Sequence, residues 1–143
     1  MKFLKYALIV LFSIGMMSCG SSGGDDTDKE APGITITAPT AGQQFGGEAI
    51  VKVSFTATDN VALKSYVVNV KLTKAASVAS VKVTPEVFVF DKSGSLSGKT
   101  KDITFDMELP GNPEKGEYTV EIKVTDASTE ENVQIANRIF VVN

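Results

Sequence analysis

"KGEYTVEIKVTD" (residues 115–126) sets apolar Val120, Ile122 and Val124 in alternation with Glu121 and Lys123. A period of two puts one row of side chains against a core and the other in water, so the stretch reads as a half-buried strand. The same period continues on either side of it. Ile34 and Ile36 alternate with Thr35 and Thr37 before Pro39, and Val51, Val53, Phe55 and Ala57 alternate with Lys52, Ser54, Thr56 and Thr58. Tyr66, Val68, Val70 and Leu72 form one row opposite Val67, Asn69 and Lys71, while Ile103, Phe105, Met107 and Leu109 alternate with Thr104, Asp106 and Glu108. Residues 135–142 supply a last strand. No segment repeats apolar residues at helical spacing, and the expected class is all-β.

Within the opening stretch Tyr118 stands two residues before Val120, the first inward position. That is the placement of a tyrosine corner, in which the ring packs inside and the phenol bonds to backbone upstream. About seven short strands between Gly, Pro, Asn and Asp clusters fit an immunoglobulin-like antiparallel β-sandwich over residues 33–143.

The N-terminus has a different character. Lys2 and Lys5 precede an apolar run from Tyr6 to Met17, broken only by Ser13 and Gly15. A basic start followed by about a dozen apolar residues reads as a secretory signal over residues 1–18, too short for a spanning helix. Ser18 and Cys19 then resemble the lipobox of bacterial lipoproteins. That resemblance implies that Cys19 is the first mature residue and is acylated. Each buried acyl methylene contributes ~0.8 kcal/mol, and several chains together make a lasting anchor to the lipid bilayer. With Cys19 acylated no thiol is left for a disulfide, and the fold must hold by burial.

Residues 19–32 read as an acylated Cys followed by a flexible acidic tether. Gly and Ser give way to Asp25, Asp26, Asp28 and Glu30, with too little apolar content to bury. The run also resembles the acidic export signal behind the Cys of surface lipoproteins in the Bacteroidetes. The resemblance implies an outer-membrane location, with the cell surface slightly favoured over the periplasmic face. The whole chain carries 14 basic and 17 acidic residues, and loss of Lys2 and Lys5 makes it more acidic. An acidic chain of this kind is not expected to bind nucleic acid.

The segment "ITITAPTAGQQFGGEAIVKVSFTATDNVALKS" (34–65), with "GEYTVEIKVTD" (116–126), resembles bacterial immunoglobulin-like domains. More narrowly, it resembles the Bacteroidetes lipoprotein family designated domain of unknown function 4625. The residues that carry the likeness are Pro39, Gly42, Asp59 and Leu63, then Pro110, Gly116, Tyr118 and Asp126. "DASTEEN" (126–132) departs from it, being longer than the usual closing turn and lacking its Gly. The family has no established activity, so the likeness bears on fold and compartment.

Candidate chemistry is sparse. The chain has no His and one Cys, which excludes Ser-His-Asp and Cys-His nucleophiles and His/Cys zinc sites. No enzyme is expected. Calcium is the one cofactor worth weighing. "TATDN" (56–60) and "KVTDA" (123–127) each end a strand with an Asp that begins a loop. In a sandwich of this topology those loops share one end, so Asp59, Asn60 and Asp126 could begin an oxygen shell, with Glu130 or Glu131 near. The preferred expectation is simpler: Asp starts turns by accepting bonds from amides two residues on.

A partner surface has one candidate. In "EVFVFDK" (86–92) Val87 and Val89 point one way and Phe88 and Phe90 the other. Covering of this strand by residues 73–84 is the preferred expectation, and exposure of Phe88 and Phe90 would mark a binding surface. "KSGSLSGKTK" (92–101) reads as a surface connection. The resulting expectation is a membrane-anchored, non-enzymatic envelope lipoprotein acting as an interaction or accessory module with a protein or glycan partner. The alternatives are a carbohydrate-binding accessory protein of a glycan uptake system and an adhesin subunit.

Overall fold

The computed structural model describes residues 27–77 and 83–143; the signal-like segment and Cys19 lie outside them. Eight strands follow in chain order: β1 (Gly33–Ala38), β2 (Gln43–Phe45), β3 (Ile50–Thr58), β4 (Leu63–Ala75), β5 (Phe90–Ser95), β6 (Thr100–Glu108), β7 (Gly116–Asp126) and β8 (Val133–Val142). They form a three-stranded sheet, β1-β3-β6, and a five-stranded sheet, β2-β8-β7-β4-β5. No helix appears among the described residues. The sandwich is all-β and immunoglobulin-like, as the alternation predicts.

Neighbours pair antiparallel except β2, which lies parallel to β8. Residues 33–45 therefore serve both sheets: β1 pairs with β3, and the chain crosses past the cis Ala38–Pro39 bond to place β2 on β8. The core lies between the sheets. Val51, Val53, Phe55 and Ala57 of β3 face Val68 and Val70 of β4 and Val120, Ile122 and Val124 of β7, all essentially excluded from water. Burying each such side chain contributes about 1.5–3 kcal/mol, the dominant favourable term in a fold without disulfides. The outer face of the small sheet instead carries polar cross-strand pairs: Lys52–Asp106 (3.0 Å), Ser54–Thr104 (2.9 Å) and Thr56–Asp102 (2.6 Å).

Tyr118 makes the expected corner, its hydroxyl donating to the Glu114 carbonyl oxygen at 2.8 Å while its ring is wholly buried. Burial holds the hydroxyl's pKa above its ordinary 10.0, and the Glu114 charge adds to this against an opposing backbone hydrogen bond at Phe88.

The expected sandwich of about seven strands has eight, β2 and β5 being strands of main-chain pairing without apolar alternation. Two sequence expectations are corrected. β5 takes in Lys92 to Ser95, so the first part of "KSGSLSGKTK" is an edge strand; Gly94 fits there because a Cβ would lie 2.5 Å from the Tyr66 ring. Residues 86–89 form no strand beyond a single bridge from Glu86 to Pro113. Phe88 and Phe90 are partly buried against the core, while residues 78–82 of the segment expected to cover them lie outside the described residues. The two rings stack on each other at 6.3 Å, Phe88 meets Tyr118 at 6.3 Å, and Phe90 stacks on Phe105 at 5.7 Å. Val87 and Val89 are the residues left in water, at 56% and 62% exposed.

Candidate metal centre where the tether meets the domain

The strand directions sort the loops into two ends. The β3–β4 loop (59–62), the β5–β6 loop (96–99) and the β7–β8 loop (127–132) share one end with residues 27–32, because Gly33 begins β1 opposite Thr58, the end of β3. Asp59 and Asp126 stand at the first positions of their turns at this end, as the matching strand ends predict.

Each Asp is held by its own loop. Asp59 Oδ1 accepts from the Val61 and Ala62 amides at 2.9 and 2.7 Å. Asp126 Oδ1 accepts from the Ser128 amide and hydroxyl at 3.1 and 2.7 Å, and its Oδ2 accepts from Asn132 Nδ2 at 2.9 Å. The turn-forming role expected of both is therefore present. Asp126 is completely buried; burial pushes its carboxyl up, but the bonds from Ser128 and Asn132 outweigh this and hold it below its ordinary value. The loop manages without the Gly of related turns because Glu131 itself adopts the left-handed conformation, at φ 50°. Glu131 pairs with Lys64 at the surface rather than turning to the aspartates.

The third member is Asp28, read from the sequence only as a tether acid. Its Oδ1 accepts from the Glu30 amide at 3.1 Å and from Asn60 Nδ2 at 3.0 Å, and its carbonyl oxygen accepts from Asn132 Nδ2 at 2.8 Å. Residues 28–32 thus dock on the domain, with Pro32 buried, where the sequence reading expects a flexible tether as far as residue 32. Asn60 turns its amide nitrogen to Asp28, so it braces the cluster rather than presenting that atom as a ligand.

Asp28, Asp59 and Asp126 each bring one carboxylate oxygen within 4.8 Å of the others. Two like charges at that separation repel by about 3 kcal/mol at an effective dielectric constant near 20. None of the three takes part in an ion pair among the described residues. Asp28 Oδ2 and Asp59 Oδ2 are buried and receive no hydrogen bond. Buried carboxylate oxygens are ordinarily satisfied by donors or cations, and these two are not. Carboxylate oxygens are hard donors that suit calcium, magnesium or manganese rather than zinc or copper.

Asp28 carries no local signal: it lies 32 residues from Asn60 and 104 from Asn132, its two side-chain partners in the fold. Only its position, a few residues ahead of a strand that pairs with the end of β3, could have drawn attention to it.

No curated protein matches the chain. A family model does, over residues 17–139, which takes in the sandwich up to the last residues of β8, all three aspartates and the segment that leads into them. The chain belongs to the family described as a domain of unknown function, DUF4625.

Proposed function

We propose that the protein is a lipid-anchored, non-enzymatic module of the bacterial cell envelope that holds a protein partner at the end of the sandwich away from its tether. The observation that carries this reading is the opposition of the two ends. Residues 27–32 enter beside the β3–β4 and β7–β8 loops, whereas exposed Ile50, Val83, Val87 and Val89 belong to the other end, with the β4–β5 and β6–β7 connections. An open groove of about 440 Å³ lies there between Glu86–Val89 and Glu108–Pro110. An anchor at Cys19 would direct this apolar end away from the bilayer, where a partner reaches it. Among the described residues, the remaining large exposed apolar side chains are Val61 in the β3–β4 loop and Val133, Ile135 and Ile139 along β8. A protein partner is favoured over a glycan because the chain has no Trp, and Tyr66 and Tyr118 are both buried.

Two measurements test the reading. Metabolic labelling with a palmitate analogue and membrane fractionation should give a labelled, membrane-bound chain, with both properties lost in Cys19→Ser; label retained by Cys19→Ser would overturn the anchor. A photo-crosslinker at Val87 or Val89 should give a discrete adduct in cells that one at Thr104 does not. Identical patterns from both positions would overturn the assignment of the binding end.

A further inference from the structure

We infer that Asp28, Asp59 and Asp126 form a calcium site that fastens the last residues of the tether to the sandwich. Three carboxylates from three separate parts of the chain converge within 4.8 Å of one another. Convergence of acids alone would not require an ion. The second observation is that the Oδ2 atoms of Asp28 and Asp59 are buried without a hydrogen bond. The surrounding donors are spent elsewhere: Val61, Ala62 and Ser128 on the loops' own Oδ1 atoms, and Asn60 and Glu30 on Asp28 Oδ1. The hydrogen bonds hold the carboxylates in place and leave one oxygen of Asp28 and one of Asp59 buried without a donor or a positive charge to answer them.

The chemistry favours calcium among divalent ions. Calcium accepts six to eight oxygens in irregular arrangements, from carboxylates, carbonyls and water, whereas magnesium demands a near-ideal octahedron and surrenders water reluctantly. Aspartates on two loops and a chain terminus of the domain make an irregular set. Three negative charges around a doubly charged ion leave one net charge, which removes the mutual repulsion. Because Asp28 precedes β1, the ion ties residues 27–32 to both loops and shortens the free tether. This goes beyond the proposed partner binding and stands or falls separately, since it needs neither lipid nor partner.

The test uses the full chain in mild detergent with calcium chloride as the only added ligand. Titration calorimetry should give one site with a dissociation constant of about 10⁻⁴–10⁻³ M, the range of extracellular calcium modules. Calcium at 10 mM should raise the melting temperature by about 5 °C, and magnesium at 10 mM by clearly less. Asp59→Asn and Asp126→Asn should abolish the response, but both residues also hold their loops. Asp28→Asn is the decisive variant because it lies outside both sheets: it should keep the β-type circular dichroism and lose at least tenfold in affinity. Absence of heat and of a melting shift in the wild-type chain at 10 mM calcium would overturn the site. So would an equal response from Asp28→Asn, or an equal response to magnesium.

Discussion

Asn132 Nδ2 donates to the carbonyl oxygen of Asp28 at 2.8 Å, joining residues 104 positions apart in the chain. The same nitrogen bonds Asp126 Oδ2 at 2.9 Å. One amide thus holds both the β7–β8 loop and the segment that leads into β1. Asn132→Ala should cost about 1–3 kcal/mol, because it leaves part-buried acceptors without a donor. Denaturant unfolding gives the energy, and hydrogen exchange at residues 28–32 should speed up with it. Unchanged exchange there would show that Asn132 does not secure the segment.

Tyr118→Phe removes the bond to Glu114 and should lower stability by about 1–2 kcal/mol at neutral pH. The pH dependence carries a sign. The folded phenol's pKa is raised, so its contribution is full below the ordinary value of 10.0 and is lost as pH climbs through the folded value, the unfolded chain ionising first. Between neutral pH and the alkaline range the gap between wild type and Tyr118→Phe should narrow. A gap that widens above pH 10 would contradict the buried, neutral phenol.

Gly116 begins β7 at φ 146°, and a Cβ on it would overlap the Lys74 carbonyl oxygen across the pairing with β4. Gly116→Ala should therefore destabilise by roughly 2–3 kcal/mol, through backbone strain and displacement of a main-chain neighbour. Gly42→Ala makes a useful contrast: its φ of 69° is also left-handed, but nothing lies within 4 Å of its Cβ. Thermal melts should rank Gly116→Ala as the worse of the two.

Phe88→Ala and Val87→Ser separate the inner and outer faces of residues 86–90. Phe88 belongs to a run of rings that continues from Tyr118 to Phe140, stacked at 5.5 Å, and from Phe140 to Phe45 at 5.6 Å. Its truncation should cost about 2–3 kcal/mol, less than a fully buried Phe because it is only half-buried. Val87→Ser, at an exposed position, should stay within about 0.5 kcal/mol of wild type. Equal melting temperatures for the two variants would reverse the assignment of the faces.

The parts of the fold legible in the sequence are those that side-chain burial dictates. β3, β4 and β7 lie inside their sheets and β6 at an edge of the smaller one, but all four present one face to the core, so their rows of Val, Ile, Phe and Tyr announce both strand and facing. β2 and β5 sit at the edges of the larger sheet. Their pairing is made by main-chain groups, which every sequence has, and "QQF" and "FDKSGS" show little alternation. The facing of Phe88 was likewise hidden: alternation separates it from Val87 but does not say which side is wet. Asp59 and Asp126 were legible because two strands end alike and topology places those ends together. Asp28 was not, since its neighbours in sequence are polar and its partners are distant.

The shared service of residues 33–45 to both sheets has a mechanical consequence. β1 runs antiparallel to β3 from Gly33 opposite Thr58 to Ala38 opposite Ser54, and β2 then follows β8 in parallel. A pull on the chain ahead of Thr27, resisted at the other end of the domain, acts along the strands rather than across them. Its ladder bonds are then strained together in shear instead of opening one after another from an end. The segment that joins the two sheets is also the one through which a tethered domain would bear load.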